Sequence, residues 1–321
     1  MYPVYPLPLT VYVSRLLQSL SHMRRGPAEP DVSKMSIRDL QAVATQIRED
    51  IILMLEAAGS GHSAGSLGMT DVFTALYFGI ARITPAMRAH PSRDRVVLSN
   101  AHICPALYAT LAARGYLNRH ELLTLRKLGS PLQGHSNNHF QPELPIETCG
   151  GPLGQGISQA VGFALASRMN VIANPKRKKL LPTWHTWCLC SDGELDEGQT
   201  WEAILFAGKR KLRELTVFLD RNNIQIDGNT EQIMPLEPLA KKLRAFNWHV
   251  IEIDGNNIRE VIAAAKRARQ MATAPTMIVC HTIPGKGVPY MENNFEWHGK
   301  TPTHAEALNA IQSLGGRITK D

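Results

Sequence analysis

No uninterrupted apolar segment in these 321 residues approaches the roughly 18–20 positions that cross a bilayer, so the sequence predicts no membrane-spanning helix. Cysteine is scarce. The five residues Cys104, Cys149, Cys188, Cys190 and Cys280 are odd in number and lack metal-site spacing, which argues against a disulfide scaffold or a zinc site. Cys188 and Cys190 would lie on one face of a strand, and reduced thiols in a cytoplasmic protein are expected. Zinc-finger spacing, RRM-like aromatic motifs and a helix-turn-helix pattern are all missing, so the net charge of +7 does not read as nucleic-acid binding. Much of the excess sits in Lys176-Arg177-Lys178-Lys179, after an expected helix end at Asn174-Pro175, and in Lys209-Arg210-Lys211. Solvated basic faces and small anionic substrates account for it.

Residues 1–34 lack sustained periodicity and the cleavage pattern of a secretory signal, and they hold five prolines. A disordered extension is expected there, with a folded domain over 35–321 that opens at Met35. From Ser36 the chain alternates helix and strand signals. Apolar positions at Ile37, Leu40, Val43, Ile47, Ile51, Ile52 and Leu55 predict a helix over 37–58 that ends at Gly59. Further helices are expected near 72–79, 104–114, 154–169, 199–208, 257–271 and 304–313. Strands are expected over 94–99, 186–190, 215–219, 249–253 and 276–280. Strands separated by helices imply parallel pairing through right-handed crossovers, hence a doubly wound, mostly parallel α/β domain.

The segment CSDGELDEGQTWEA (190–203) crowds five acidic residues behind an apolar strand. Ligands of open α/β sheets sit outside the carboxyl ends of the strands. Asp192 ends one strand, and Asn222 ends the next, thirty positions later, about one strand–helix–strand unit. A carboxylate, an amide oxygen and a freed backbone carbonyl form a site for a hard cation such as Mg²⁺, open to phosphate oxygens and water. Either residue alone would read as a turn former or helix cap. Their pairing favours the cation.

Ser191-Asp192-Gly193, followed by Asn222-Asn223-Ile224, resembles the thiamine diphosphate signature, and the surrounding words resemble transketolase. The words are GSGHSAGSLGMTDV (59–72), DRVVLSNAHICPALYATLAARGYL (94–117), GSPLQGHS (129–136), GGPLGQGISQAVGFALA (150–166) and GKGVPYMENNFEWHGKTP (285–302). Ser191 departs from the family's usual glycine and requires a negative φ there. The resemblance implies thiamine diphosphate and Mg²⁺ or another divalent cation as cofactors. Asp192, Asn222 and the Ile224 carbonyl would hold the metal. His102, His298, Lys300, Gly193, Glu194, Asn222 and the backbone of Gly151, Pro152 and Leu153 would face the cofactor. His62, His135 and His298 would face the sugar, and Glu197 would lie at a subunit interface.

The implied reaction moves a two-carbon ketol unit from a ketose to an aldose, both sugars or sugar phosphates. Full-length members of the family add a pyrimidine-binding domain and a C-terminal domain. The chain therefore resembles the N-terminal subunit of a split transketolase. Its implied partner is a C-terminal subunit, in an α₂β₂ assembly, with no catalysis by this chain alone. Two other readings are the α subunit of a 2-oxo-acid dehydrogenase and a non-catalytic assembly subunit.

Overall fold

The computed structural model of the chain describes residues 35–139, 144–173 and 184–316. The expected extension over 1–34, the helix end at Asn174-Pro175 and the Lys176–Lys179 cluster lie outside the described residues. Lys209, Arg210 and Lys211 are exposed, as a solvated basic face requires.

Helix α1 (Ile37–Ala58) begins with a capping box. Asp39 N–H donates to Ser36 Oγ at 3.2 Å, and Ser36 N–H donates to Asp39 Oδ2 at 2.8 Å. It ends where Gly59 turns left-handed at φ 65, a conformation that only glycine takes without strain. Two short helices follow, α2 (Ala64–Gly68) and α3 (Thr70–Ala75), the second running on into a π turn over Leu76–Ile80. Strand β1 (Arg95–Leu98) leads to α4 (Cys104–Ala113), and α5 (Gln155–Ala173) precedes β2 (Thr186–Ser191). Then come α6 (Gly198–Lys209) and β3 (Leu215–Arg221), and a small hairpin of β4 (Ile224–Gln225) and β5 (Gly228–Asn229). Helices α7 (Thr230–Ile233) and α8 (Leu239–Ala245) lead into β6 (His249–Asp254), α9 (Ile258–Gln270), β7 (Thr276–His281) and α10 (His304–Ser313).

Five strands pair in the order β1-β2-β3-β7-β6, every pair parallel. Side chains alternate across the sheet. Trp187, Leu189 and Phe218 face the layer that holds α1, α4 and α9. Cys188, Cys190, Val217 and Leu219 face α5, α6 and α8. Both faces are covered, which is why β2 and β3 are buried along their whole length and read as continuous apolar runs. Ser191 lies opposite Asp220, so β2 and β3 end level with each other. That register delivers Asp192 and Asn222 to adjacent strand ends.

At the opposite end of the sheet, buried Asp94 gathers the backbone N–H of Arg82 (3.0 Å) and of His185 (3.1 Å), the indole N–H of Trp187 (3.2 Å), and the guanidinium groups of Arg82 and Arg269. This carboxylate clasps the amino ends of β1 and β2 to α9, leaving the carboxyl ends for chemistry.

Candidate active site

Asp192 follows directly on β2 and is fully buried. Its Oδ2 accepts from Arg221 Nη1 at 3.0 Å and from Asn223 N–H at 2.8 Å, and its Oδ1 accepts from Gly193 N–H at 2.9 Å. Burial pushes its pKa up to about 6, and the Arg221 guanidinium opposes that shift. Asn222 is oriented by β3: its Nδ2 donates to Asp220 Oδ2 at 2.8 Å, and Asp220 is itself fixed by the Thr282 hydroxyl. With the amide nitrogen held this way, Asn222 Oδ1 is the acceptor on the other side, and it receives Ile224 N–H at 3.0 Å. Asn223 takes φ 62 between them, folding the chain back into the β4–β5 hairpin. Among the described residues no three His, Cys, Asp or Glu side chains form a metal cluster. The oxygens present are instead the carboxylate of Asp192 and the amide of Asn222, with the Asp220 carboxylate behind them, the chemistry of a hard cation that completes its shell with ligand oxygens.

Ser191 ends β2 as a strand residue and is not among the residues with positive φ, so serine fits there without strain. Glu194, expected to face the cofactor, is held by protein donors. It is fully buried, and its Oε1 accepts from Ser99 Oγ at 2.6 Å and Gly154 N–H at 2.9 Å, while Oε2 accepts from Ser191 N–H at 3.0 Å. Glu194 is a strut that ties the loop after β1, the glycine loop and the end of β2 together.

The glycine loop closes over this strut. Gly151 stands at φ 147 beside His135. Leu153 O accepts from Gln199 Nε2 at 2.7 Å, and exposed Pro152 caps the turn. A Cβ on Gly156 would come 2.4 Å from Ser99 Cα, so only glycine lets α5 start this close to the loop that carries His102.

His62, His102 and His298 converge from three segments. Ring centroids are 5.0 Å apart for His62–His102, 5.2 Å for His102–His298 and 5.8 Å for His62–His298. Burial and the neighbouring imidazoles push His62 down to about 4 and His102 well below the usual range, and burial alone lowers His298. All three are therefore neutral at pH 7. His62 Nδ1 and His298 Nδ1 are buried without a hydrogen-bond partner. Orphaned polar atoms in a protein interior call for a ligand or water. His135 is half-buried next to Gly151, its pKa lowered by burial and by Arg126.

Two expected residues stand apart from this cluster. Lys300 has its ammonium 4.0 Å from the centroid of the Trp297 ring and 3.5 Å from Glu306 Oε1, so its side chain is turned to α10. Its backbone carbonyl nevertheless accepts from Ser63 Oγ at 2.6 Å, joining the His62 and His298 loops. Glu197 is exposed at the start of α6, packed beside Gly154. Arg221, Asp220 and Thr282 were not anticipated. Arg221 and Asp220 end a strand whose apolar run is the dominant signal, and only the register shows what they touch.

A parallel α/β domain with paired Asp and Asn oxygens and a neutral histidine cluster at its strand ends belongs to the class that binds a diphosphate cofactor through a cation. Comparison with known proteins gives the family. Residues 40–319 match the transketolase, thiamine diphosphate binding domain family. The 6-deoxy-6-sulfo-D-fructose transketolase subunit SqwG of a Clostridium species is 43% identical over 276 residues, 86% of this chain and 96% of the relative. An apulose-4-phosphate transketolase subunit from Phocaeicola vulgatus is 35% identical, covering 89% of this chain and 97% of that protein. Human transketolase is 32% identical over 290 residues, 90% of this chain but 44% of the human protein. The transketolase structure from Leishmania mexicana superposes with a TM-score of 0.82 at 30% identity, over 88% of this chain and 42% of that one. The chain belongs to the transketolase family, as its thiamine diphosphate binding domain. It is a transferase by family, and the reading as a 2-oxo-acid dehydrogenase subunit is set aside.

Proposed function

We propose that this chain is the cofactor-anchoring subunit of a two-subunit transketolase, and that a C-terminal subunit with a pyrimidine-binding domain completes the site in an α₂β₂ assembly. The observations that carry the reading are the buried, unpartnered imidazole nitrogens of His62 and His298, and the buried Asp192 and Asn222 that follow directly on β2 and β3. Asp192, Asn222 and the Ile224 carbonyl would hold the divalent cation. Gly193, the backbone of Gly151 to Leu153, His102 and His298 would line the diphosphate and ring positions. When bound, thiamine diphosphate supplies the nucleophilic carbon and electron sink that ketol transfer needs.

The chain's own residues do the rest. Neutral His62, His135 and His298 each offer one N–H donor and one acceptor to the hydroxyls and carbonyl of a ketose, and can hold or pass a proton there. Two relatives carry the word subunit in their names and match this chain along nearly their whole length, while human transketolase is more than twice as long as the matched part. Their names specify sugars that carry a sulfonate or a phosphate, and an anionic ketose is the donor class proposed here. Exposed Leu205 and Phe206 on α6, the helix that begins beside exposed Glu197, form an apolar surface suited to the partner.

Transfer of a two-carbon unit from a ketose phosphate to an aldose phosphate, assayed with this chain, its partner and the mixture, tests the reading. Turnover only in the mixture is expected. Full turnover by this chain alone would refute the two-subunit reading, and a silent mixture would favour a non-catalytic assembly role.

A further inference from the structure

Arg221 is the last residue of β3, and its buried guanidinium has three carboxylates against it. Nη1 donates to Asp192 Oδ2 at 3.0 Å. Nη2 donates to Glu231 Oε1 at 2.5 Å and to Glu237 Oε1 at 3.2 Å. One acid therefore sits at the end of β2, while the other two belong to the segment 230–239, which runs from α7 to the start of α8. Those two acids hold that segment's own backbone. Leu236 N–H donates to Glu231 Oε1 at 3.1 Å, and Leu239 N–H to Glu237 Oε2 at 2.8 Å. A single guanidinium thus fastens the 230–239 segment to the carboxylate of Asp192.

The two oxygens of Asp192 are unequally occupied. Oδ2 accepts from Arg221, from Asn223 N–H and, at 3.4 Å, from Thr230 Oγ1, the first residue of α7. Oδ1 accepts from Gly193 N–H. A carboxylate offers about two acceptor sites on each oxygen, so Oδ2 is spent and Oδ1 is the one with capacity for a cation. Groups behind a metal ligand set its orientation. A lone guanidinium would also repel a nearby cation, but Glu231 and Glu237 leave this cluster negative.

We propose that Arg221 is a positioning residue for the cofactor's cation: it holds Asp192 by Oδ2, presents Oδ1 to the metal, and couples cation binding to the fastening of the 230–239 segment. The inference rests on the transketolase reading above and deepens it. Such coupling is reciprocal, so whatever the segment adds to cation affinity the cation returns as order in the segment. A lysine keeps the charge but has no planar fork to span Asp192 and two glutamates.

The experiment uses the full chain with its partner subunit at a fixed concentration of thiamine diphosphate. Mg²⁺ is titrated calorimetrically into wild type, Arg221→Lys and the double variant Glu231→Ala with Glu237→Ala. Amide hydrogen exchange at Leu236 and Leu239 is followed with and without Mg²⁺ in wild type and Arg221→Lys. Arg221→Lys should weaken Mg²⁺ binding at least about tenfold. The double variant should weaken it by a smaller factor that persists at about 1 M salt, where the field of surface charges is screened. Mg²⁺ should slow both amides in wild type and slow them less in Arg221→Lys. Unchanged Mg²⁺ affinity in Arg221→Lys, or equal slowing of exchange in the two proteins, overturns the proposal. If Arg221→Lys does not fold, the double variant decides: a loss that persists in salt supports the coupling, and no loss or one that salt abolishes overturns it. Wild type without Mg²⁺-dependent binding would sink the transketolase reading and this inference together, whereas wild-type binding with Arg221→Lys unchanged overturns the inference alone.

Discussion

Glu194 shows how a side chain named by family likeness takes its role from its hydrogen bonds. Three donors, Ser99 Oγ, Gly154 N–H and Ser191 N–H, converge on a carboxylate with no exposure. Glu194→Gln should therefore cost about 1–3 kcal/mol of stability, because an NH₂ would face a donor that now has an acceptor. Urea denaturation of both forms reads this, and a change under about 0.5 kcal/mol would show that the strut is dispensable.

His185 offers a second test. Buried against Trp187, with Nε2 2.9 Å from Thr216 Oγ1, it has its pKa pushed down to about 3, chiefly by burial and then by Arg269. A depressed histidine pKa means that the unfolded chain binds the proton first, so stability falls as pH drops below about 6.5 and keeps falling toward the folded-state value. Between pH 7 and 5 wild type should lose about 2 kcal/mol relative to His185→Gln, whose side chain does not titrate. Parallel pH–stability curves for the two proteins would contradict the assignment. Neither role was legible in the sequence, since both depend on which atoms of distant segments meet.

Among the elements, the long ones were readable and the short ones were not. Helix α1 runs from Ile37 to Ala58 because its apolar period, its Ser36 cap and its Gly59 stop agree, and α10 over His304–Ser313 matches its expected bounds. Strands β2 and β3 stood out as apolar runs because helices cover both faces of the sheet. The β4–β5 hairpin, α7 and α8 were missed. Strands of two residues and helices of four and seven hold too little of a period to be seen.

The start of α5 carries a prediction of its own. Gly156 touches Ser99, so Gly156→Ala would push the helix away from the loop bearing His102, at a cost of about 1–3 kcal/mol. Thermal melts should show the loss, and cofactor affinity should fall with it because the glycine loop and His102 no longer share one frame. An alanine variant with wild-type melting and binding would mean that the helix has room to give.

For the molecule as a whole, the parallel sheet explains why its site was partly legible. A sheet of this kind puts ligands at its carboxyl edge, and a thirty-residue crossover puts Asp192 and Asn222 side by side. Glycine-rich turns marked the histidine loops. What pattern could not supply was direction: Lys300 is turned to Glu306, Arg221 is paired with Asp192, and Arg126 lies across Gly134.

In the proposed enzyme this chain anchors thiamine diphosphate through a cation held by Asp192 and Asn222, and the partner subunit closes the site. Calorimetric titration of thiamine diphosphate with Mg²⁺ into wild type and Asp192→Asn, each with and without the partner, tests it most directly. Mg²⁺-dependent binding that tightens when the partner is added, and that weakens at least about 100-fold in Asp192→Asn, is the expected result, since the substitution removes the site's charged ligand. Equal affinity of wild type and Asp192→Asn, at equal melting temperature, would contradict it.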